Sequence, residues 1–259
     1  MQVCVFLDLD DTLFQTLAKC PAEEPRRAVA FRRDGAPLSF MTERQARMLQ
    51  FLDAAAVVIP VTARNLDAFR RVDVPFRSLA VLDFGAVVLR ADGTLDPAWD
   101  ARIRPQARAV HDRLPPLLTT LQAFISRNGL GVNARVIADF DMALYLVMKH
   151  PDGDVAALDT IRSDVLPTLD LDGFFVHANG NNLAIVPRFL GKERAVAHIL
   201  ETHFAPPVLS IGMGDSVSDA AFLQQCDLMM MPSGSQLAAL CLRAAQEIME
   251  PAAHVQRQL

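Results

Sequence analysis

Short apolar runs alternate with amphipathic stretches along the first third of the chain. Residues 3–7, 56–61 and 78–82 are such runs, and because polar residues bound each one, they predict buried strands of a parallel sheet. Amphipathic segments between them predict helices, the first opened by a capping-box pattern at Thr42 and Gln45. Alternating strands and helices predict an α/β fold with a Rossmann-like, doubly wound parallel-sheet core.

The pattern changes from about Trp99. A long amphipathic stretch, broken at Pro115-Pro116, runs to a stop signal at Asn128-Gly129. Three further elements are then predicted: a hairpin of 135–138 with 143–149, a helix over 155–166, and a hairpin of 173–177 with 182–186. This order predicts a smaller α+β cap domain at residues 86–187, inserted into a core formed by residues 1–85 and 188–259.

The last quarter returns to the earlier rhythm of helices and short strands. A helix is predicted from Lys192 to about His203, followed by a strand over 208–211 and the loop GMGDSVSD. A helix to residue 225, a strand over 228–231 and a final helix complete the prediction. Residues after Pro251 are predicted to be poorly ordered.

Composition places the 259-residue chain among ordinary globular proteins, with 51% hydrophobic and 21% charged residues. A net charge of -5 argues against nucleic acid as a partner. The amino terminus lacks a basic region, and no run approaches the ~18 apolar residues of a membrane helix, so the prediction is a cytoplasmic protein without a membrane partner. Nothing in the sequence indicates an oligomeric state.

The four cysteines are scattered along the chain without a CxxC pair: Cys4, Cys20, Cys226 and Cys241. Such spacing indicates neither a disulfide framework nor a zinc site. Reduced and mostly buried thiols are the prediction.

Reactive side chains follow three of the predicted strands. Asp8 and Asp10 follow the first strand, Thr62 follows the second, and the loop 215–219 follows a later one. Because parallel sheets bind ligands at the carboxyl ends of their strands, these groups are expected to converge. Four carboxylates meeting there would need a cation, and ligation by oxygen alone favours a hard dication, Mg²⁺ above all.

Each of these groups also has a structural interpretation. The DLDDT segment could be a solvated turn, and Thr62 a structural hydroxyl or cap. Lys192 alone could be a surface residue in the first turn of a helix. Asp215 and Asp219 could cap the helix that follows them.

Four segments, taken in order, resemble the motifs of the haloacid dehalogenase (HAD) superfamily: DLDDT at residues 8–12, VTAR at 61–64, GKE at 191–193 and GMGDSVSD at 212–219. The ordered set is far more specific than any single motif. The predicted insertion is similar to the cap of Cof-type and sucrose-phosphatase-like members. The resemblance implies a phosphatase of that superfamily.

The resemblance also implies a role for each matching residue. Asp8 would be the nucleophile that forms an aspartyl-phosphate, and Asp10 would be the general acid and base. Thr62 and Lys192 would hold the phosphoryl group. The metal ligands would be Asp8, Asp10 through its backbone carbonyl, Asp215, and Asp219 directly or through water.

The sequence departs from the family pattern at three places. The second motif reads TAR where many Cof-type relatives have TGR, and Asp83-Phe84 precedes Gly85 where Asn-Gly is frequent. Ser218-Asp219 replaces a common Asn-Asp, which leaves the outer ligands of the metal less defined than Asp215. No departure removes a catalytic group.

A small phosphorylated metabolite, a sugar phosphate by analogy with the cap type, is the predicted substrate. Candidate contacts are polar residues of the second motif and the cap: Arg64, Arg135, Lys149, His150, His177, Asn181 and Asn182. Each cap residue taken singly could equally be a solvated hairpin residue.

Alternatives to hydrolysis are a phosphomutase of the same superfamily and a non-catalytic phosphoacceptor or binding protein. The order of Thr62 and Asp83 argues against a receiver-type phosphoacceptor. Val217, at the third glycine position after Gly212 and Gly214, argues against a dinucleotide site.

Overall fold

The computed structural model describes residues 2–249, so the predicted disorder after Pro251 lies outside the described residues. In that range the strands are β1 (Gln2–Leu7), β2 (Gln15–Thr16), β3 (Arg26–Phe31), β4 (Pro37–Thr42), β5 (Val57–Pro60), β6 (Ala80–Leu82), β7 (Val87–Leu89), β8 (Asn133–Asp139), β9 (Met142–Lys149), β10 (Phe174–Asn179), β11 (Asn182–Pro187), β12 (Val208–Met213) and β13 (Leu228–Met230). The α-helices there are α1 (Glu43–Ala55), α2 (Leu66–Phe69), α3 (Pro97–His111), α4 (Leu114–Arg127), α5 (Val155–Thr160), α6 (Lys192–His203), α7 (Ala220–Leu223) and α8 (Gln236–Met249).

The described residues form two compact units. The first contains residues 2–62, 71–78 and 199–249, and the second contains residues 63–70 and 79–198. The predicted cap, residues 86–187, lies within the second unit together with chain on either side of it. The cap boundaries themselves stay a prediction.

A parallel four-stranded sheet forms the centre of the first unit, in the order β13-β12-β1-β5. Leu7 at the end of β1 lies opposite Met213 of β12 and Pro60 of β5. Residues 4–7 are fully buried, which explains the continuous apolar run. The predicted α/β class with a parallel sheet is confirmed, and the carboxyl ends of β12, β1 and β5 share one edge.

The capping box predicted for the first helix is present. The Thr42 hydroxyl accepts a hydrogen bond from the Gln45 amide at 3.4 Å, and the Gln45 side chain accepts one from the Thr42 amide at 3.0 Å. Two otherwise unpaired donors are thereby satisfied, so α1 begins at Glu43.

An antiparallel sheet, ordered β10-β11-β9-β8, dominates the second unit. Its strands are the two hairpins that the sequence predicts. One face packs on α4 and α5, where side chains from the strands and helices form a single apolar core: Leu121, Ile125, Leu146, Met148, Leu158, Leu183 and Ile185. The helix predicted over 155–166 is α5 followed by a π-turn at Ile161–Val165.

The third predicted strand has a different partner from the one that the alternating pattern indicates. β6 pairs antiparallel with β7, and these two strands form a separate sheet. The reason is a tight turn at Asp83–Gly85, which reverses the chain directly after β6. The expectation that this strand extends the parallel sheet is therefore wrong.

The cysteine prediction is correct only in part. All four thiols are free, but only Cys4 is buried, and Cys241 is exposed. Burial raises the pKa of the Cys4 thiol to about 11 and that of the partly buried Cys226 to about 12. Within residues 2–249, no helix combines the length and the apolar character needed to cross a membrane.

Candidate active site

The shared edge of the parallel sheet places Asp8 between two neighbouring strands. The Asp8 amide donates to the Met213 carbonyl oxygen at 2.8 Å, and the Val61 amide donates to the Leu7 carbonyl oxygen at 2.8 Å. The ladder on both sides of β1 thus continues for one residue beyond the strand. Thr62, buried and two residues past the end of β5, belongs to the same unit.

Three carboxylates gather at this edge. One oxygen each from Asp8, Asp215 and Asp219 lies within 4.8 Å of the others, and these residues are only 5%, 9% and 1% exposed. Three like charges, buried so closely, repel one another and lose hydration unless a cation or protons compensate. Carboxylate oxygens are the ligands of hard dications, so the donor set fits Mg²⁺.

Thr12 is a member of this cluster that the sequence did not single out. Its hydroxyl lies 3.3 Å from Asp8 Oδ2 and 3.4 Å from Asp215 Oδ1, and the residue is buried. A hydroxyl has one proton, so it bridges the two carboxylates rather than serving both fully. In the sequence, Thr12 could have been recognised by its position four residues after Asp8, inside the first motif.

Ser216 holds Asp219 in place. Asp219 Oδ2 accepts hydrogen bonds from the Ser216 hydroxyl at 2.8 Å, from the Ser216 amide at 3.1 Å and from the Asp215 amide at 3.3 Å. The capping interpretation of Asp219 is therefore present in the structure, alongside its place in the carboxylate cluster. Both readings of the sequence describe the same side chain.

Gly214 makes the approach of Asp219 possible. A Cβ at residue 214 would lie 2.7 Å from the Cβ of Asp219, closer than two carbon atoms can approach. Any larger residue would push the loop away from β12. The fourth motif therefore requires glycine at residue 214 for close packing and not for an unusual backbone conformation.

The other two carboxylates of the first motif lie outside the buried cluster. Asp10 is exposed, and its side chain is not one of the three that gather. Asp11 adopts a left-handed conformation with φ of +65° and pairs with Lys19 at 2.5 Å. The sequence places three acidic residues side by side, and the turn that follows β1 separates them.

Lys192 and Arg64 belong to the second unit. Lys192 is the first residue of α6, as the sequence predicts, yet it is only 7% exposed. Burial of an ammonium group is costly unless charge surrounds it, so the interpretation of Lys192 as an ordinary surface residue is wrong. Arg64 is partly buried.

Arg135, Lys149, His177 and Asn182, among the predicted cap residues, share one face of the antiparallel sheet. Side chains directly opposite each other in antiparallel strands lie on the same face, and Asn133 opposite Lys149, Arg135 opposite Val147, and Ile137 opposite Tyr145 define that face. The strand pairing extends it to His177 and Asn182 on the neighbouring hairpin. It is the face opposite the helix-packed core, and we call it the polar face.

Asn181 and Asn182 differ although they are adjacent. Both ends of the Asn181 amide bond the His150 backbone, at 2.9 Å to the amide and 2.6 Å to the carbonyl, which ties the two hairpins together. Asn182 Oδ1 is buried and, within the described part of the chain, has no hydrogen-bond partner. An unsatisfied buried acceptor of this kind suits a ligand donor better than solvent.

Known proteins resemble this chain in structure rather than in sequence. No family model matches the sequence, and no curated protein matches it. Solved structures do match, and those described below cover 93–95% of this chain.

Three of the similar structures illustrate the range. A protein from Eubacterium rectale has a TM-score of 0.51 at 11% identity, with 93% of this chain and 91% of that chain covered. A trehalose-6-phosphate phosphatase related protein has a TM-score of 0.49 at 13% identity, with coverages of 95% and 97%. A phosphatase of the haloalkanoate (HAD) enzyme superfamily from Bacteroides thetaiotaomicron has a TM-score of 0.44 at 14% identity, with 95% of each chain covered. At 11% identity, the likeness to the Eubacterium rectale structure shows the fold alone.

Proposed function

We propose that the protein is a Mg²⁺-dependent phosphomonoester hydrolase of the HAD type, acting through an aspartyl-phosphate. The buried cluster of Asp8, Asp215 and Asp219 at the carboxyl edge of the parallel sheet carries this proposal. The ordered motifs and the fold support it independently, because a chance acidic turn would not bring residues 8 and 215 together.

The chemistry assigns separate tasks to Asp8 and Asp10 of the first motif. Asp8 attacks the phosphorus atom, the bond to the leaving oxygen breaks, and Asp10 gives its proton to that oxygen. Asp10 then takes a proton from water, which attacks the phosphorus and releases inorganic phosphate and free Asp8. Asp10 is exposed, and this exposure supports its proposed role as the carboxyl group that exchanges protons with water.

Mg²⁺ would be held by Asp8, Asp215 and Asp219, with the Asp10 backbone carbonyl as a further ligand. When bound, the ion offsets the charge of the acidic cluster and of the phosphoryl group. Thr12 would keep Asp8 and Asp215 in a shared orientation. The Thr62 hydroxyl and the Lys192 ammonium would hold phosphoryl oxygens, in the roles that the motif resemblance implies.

The proposed substrate is a sugar phosphate or a similar small phosphorylated metabolite, in the manner of the Cof-type and sucrose-phosphatase-like subgroup. The polar face, with Arg135, Lys149, His177 and Asn182, offers the hydrogen-bonding groups that a hydroxylated leaving group requires. Arg64 is a further candidate contact. Asn181 is another, and its side-chain amide also bonds the His150 backbone. A cytoplasmic location, without nucleic acid or membrane as partner, is part of this proposal.

Asp8→Asn tests the proposal in an assay of phosphate release from an aryl phosphate with Mg²⁺. The variant should lose at least about a thousandfold in kcat, since an amide cannot attack phosphorus. Asp11→Asn is a matched control three residues away, because Asp11 pairs with Lys19 outside the cluster, and it should retain activity.

Other outcomes of this experiment are equally informative. Full activity in Asp8→Asn would refute the nucleophile assignment. An isomerised sugar phosphate without phosphate release would identify a phosphomutase. Phosphorylation of Asp8 without turnover on any phosphorylated metabolite would identify a non-catalytic phosphoacceptor.

A further inference from the structure

The turn that ends β6 has an unusual backbone. Asp83, Phe84 and Gly85 have φ values of +54°, +56° and +94°, all in the left-handed region. Two successive residues with side chains adopt this region only where their surroundings compensate for the strain. Gly85 also lies against the loop before α6, because a Cβ there would stand 2.6 Å from the Gly191 carbonyl carbon and 3.1 Å from the Lys192 amide nitrogen.

The Asp83 carboxyl is completely buried. Its Oδ1 accepts a hydrogen bond from the Tyr145 hydroxyl at 3.1 Å, while within the described chain its Oδ2 has no donor. Burial above all, and then the neighbouring Asp139 carboxyl, raise the pKa of Asp83 well above its usual range, and the Tyr145 bond lowers it only in part. A proton on Oδ2 would give that atom a partner, since a neutral carboxyl can donate to Asp139.

Asp139 and Tyr145 in turn hold the segment that follows Thr62. The Leu66 amide donates to Asp139 Oδ2 at 2.6 Å, and the Tyr145 hydroxyl lies 3.2 Å from the Ala63 carbonyl oxygen. The Asp83 amide itself donates to the Arg64 carbonyl oxygen at 3.0 Å. Hydrogen bonds at Leu66 and Arg64 therefore hold residues 63–66 to this cluster, and the single Tyr145 proton is shared between the Asp83 carboxyl and the Ala63 carbonyl oxygen.

Other charged or titratable groups near this cluster come from the strands around it. Burial first, and then its neighbour Asp83, raise the pKa of Tyr145 well above its usual range, and Arg135 of β8 lowers that pKa only in part. The Tyr145 hydroxyl therefore stays protonated. His177 of β10 reaches the turn through Phe84, with ring centroids 5.1 Å apart.

We infer that Asp83 is a positioning residue: through Tyr145 and Asp139 its side chain links the β8–β9 hairpin to residues 63–66, the segment directly after Thr62. The same turn contacts the Gly191-Lys192 backbone, so it supports the two segments that carry the candidate phosphoryl-binding groups. The statement about Thr62 and Lys192 rests on the proposed function, and the hydrogen bonds at residues 63–66 do not.

Hydrogen exchange of the peptide that contains Leu66 tests the link without any assay of activity. Asp83→Asn should keep the protection of the wild type, because its amide N–H can donate to Asp139 as the carboxyl does. Asp83→Ala should lose at least tenfold in protection there. Tyr145→Phe keeps the ring and removes only the hydroxyl, so it should give an intermediate loss and serves if the alanine variant does not fold.

Leu121→Ala is the control for general destabilisation, since this buried core residue of α4 lies in the same unit and outside the cluster. It should increase hydrogen exchange across the second unit to a similar extent, and residues 63–66 should not be affected more than the rest. Equal protection in Asp83→Ala and the wild type would overturn the inference, and so would loss of protection in Asp83→Asn equal to that in Asp83→Ala.

Activity then decides the functional part. With an aryl phosphate, Asp83→Ala should lower kcat about tenfold or more, and Asp83→Asn should restore most of it. If the alanine variant loses local protection but keeps full activity, the link exists and does not position the catalytic groups. If the wild type releases no phosphate from any metabolite, the proposed function fails while the exchange result still stands.

Discussion

At the scale of single residues, Thr12 shows how a small polar group can organise a charged site. Its hydroxyl lies between two carboxylates that repel each other, 3.3 Å from Asp8 Oδ2 and 3.4 Å from Asp215 Oδ1. Hydrogen-bond partners of metal ligands typically change metal affinity or activity by about 10- to 100-fold when they are removed. We therefore place Thr12 in the proposed active site, although it performs no step of the proposed reaction.

Thr12→Val keeps the shape of the side chain and removes the hydroxyl, so kcat/KM for an aryl phosphate should fall by about 10- to 100-fold. The Mg²⁺ concentration needed for half-maximal activity should rise as well. Thr12→Ser is the matched control and should retain most of the activity, because the hydroxyl remains. Unchanged Mg²⁺ dependence in Thr12→Val would show that the hydroxyl does not orient the ligands.

At the scale of secondary-structure elements, the turn after β6 is the feature with the largest structural consequence. Its left-handed backbone reverses the chain, pairs β6 with β7 and brings Gly85 against Gly191. Trp99 at the start of α3 donates from its indole nitrogen to the Gly85 carbonyl oxygen at 3.0 Å, which fixes the turn from a second side. Four segments of the second unit thus meet at three residues.

Gly85→Ala should destabilise the protein by about 3–4 kcal/mol, because a left-handed alanine is strained and its Cβ would overlap the Gly191 backbone. Gly35→Ala is a matched control, with a similar φ of +83° but open space around the Cβ, and should cost about 1–2 kcal/mol. Denaturant unfolding of both variants measures the difference. Equal losses would mean that the backbone near residue 191 yields to the added methyl group.

Local patterns predicted most elements because their causes are local. The capping box at Thr42 and the apolar run before Asp8 are each encoded within a few neighbouring residues. The convergence of Asp8 with the loop at Asp215 could also be predicted, since parallel strands present their carboxyl ends at one edge.

Features that depend on distant partners escaped prediction. The run at residues 80–82 shows a strand but not which strand pairs with it. Thr12 and Asp215 are 203 positions apart, and the Asp83 carboxyl owes its raised pKa first to burial and then to Asp139. Neither partner can be inferred from the neighbouring sequence, because hydrogen bonds between side chains are settled by the packed fold.

At the scale of the whole molecule, the two units divide the chemistry that we propose. The first contains the carboxylate cluster, and the second contains the polar face with its cationic and amide side chains. In this proposal the first unit supplies the carboxylate chemistry, and the second supplies Lys192 and the groups that select the leaving group. Substitutions on the polar face should therefore change kcat/KM for the physiological substrate more than kcat/KM for a generic substrate.

Replacement of Arg135 or Lys149 by alanine should reduce kcat/KM for a preferred sugar phosphate by about tenfold or more, and that for a small aryl phosphate by less than about threefold. Arg162→Ala is the control, because Arg162 follows α5 and pairs with Asp159 on the helical side of the same unit. A screen of phosphorylated metabolites identifies the substrate first. Equal losses on both substrates would count against selection by this face.

The pH dependence of stability follows from the same buried acid that supports the turn. The pKa of Asp83 is raised in the folded protein, mainly by burial and then by Asp139, above a value of about 3.9 in the unfolded chain. Its stabilising contribution is therefore complete below the unfolded pKa and is lost as the pH rises through the folded pKa. As the pH rises above about 4, the wild type should become progressively less stable relative to Asp83→Asn.

Denaturant unfolding of both proteins at several pH values measures that difference. Asp83→Asn retains a donor toward Asp139 and cannot ionise, so its free energy of unfolding should lack the Asp83 contribution to the alkaline decline. Because the carboxylate cluster titrates in both proteins alike, it cancels in the comparison. A constant difference across the range would show that Asp83 keeps the same charge in the folded and unfolded chains, and the link from β8 to residues 63–66 would then need another donor.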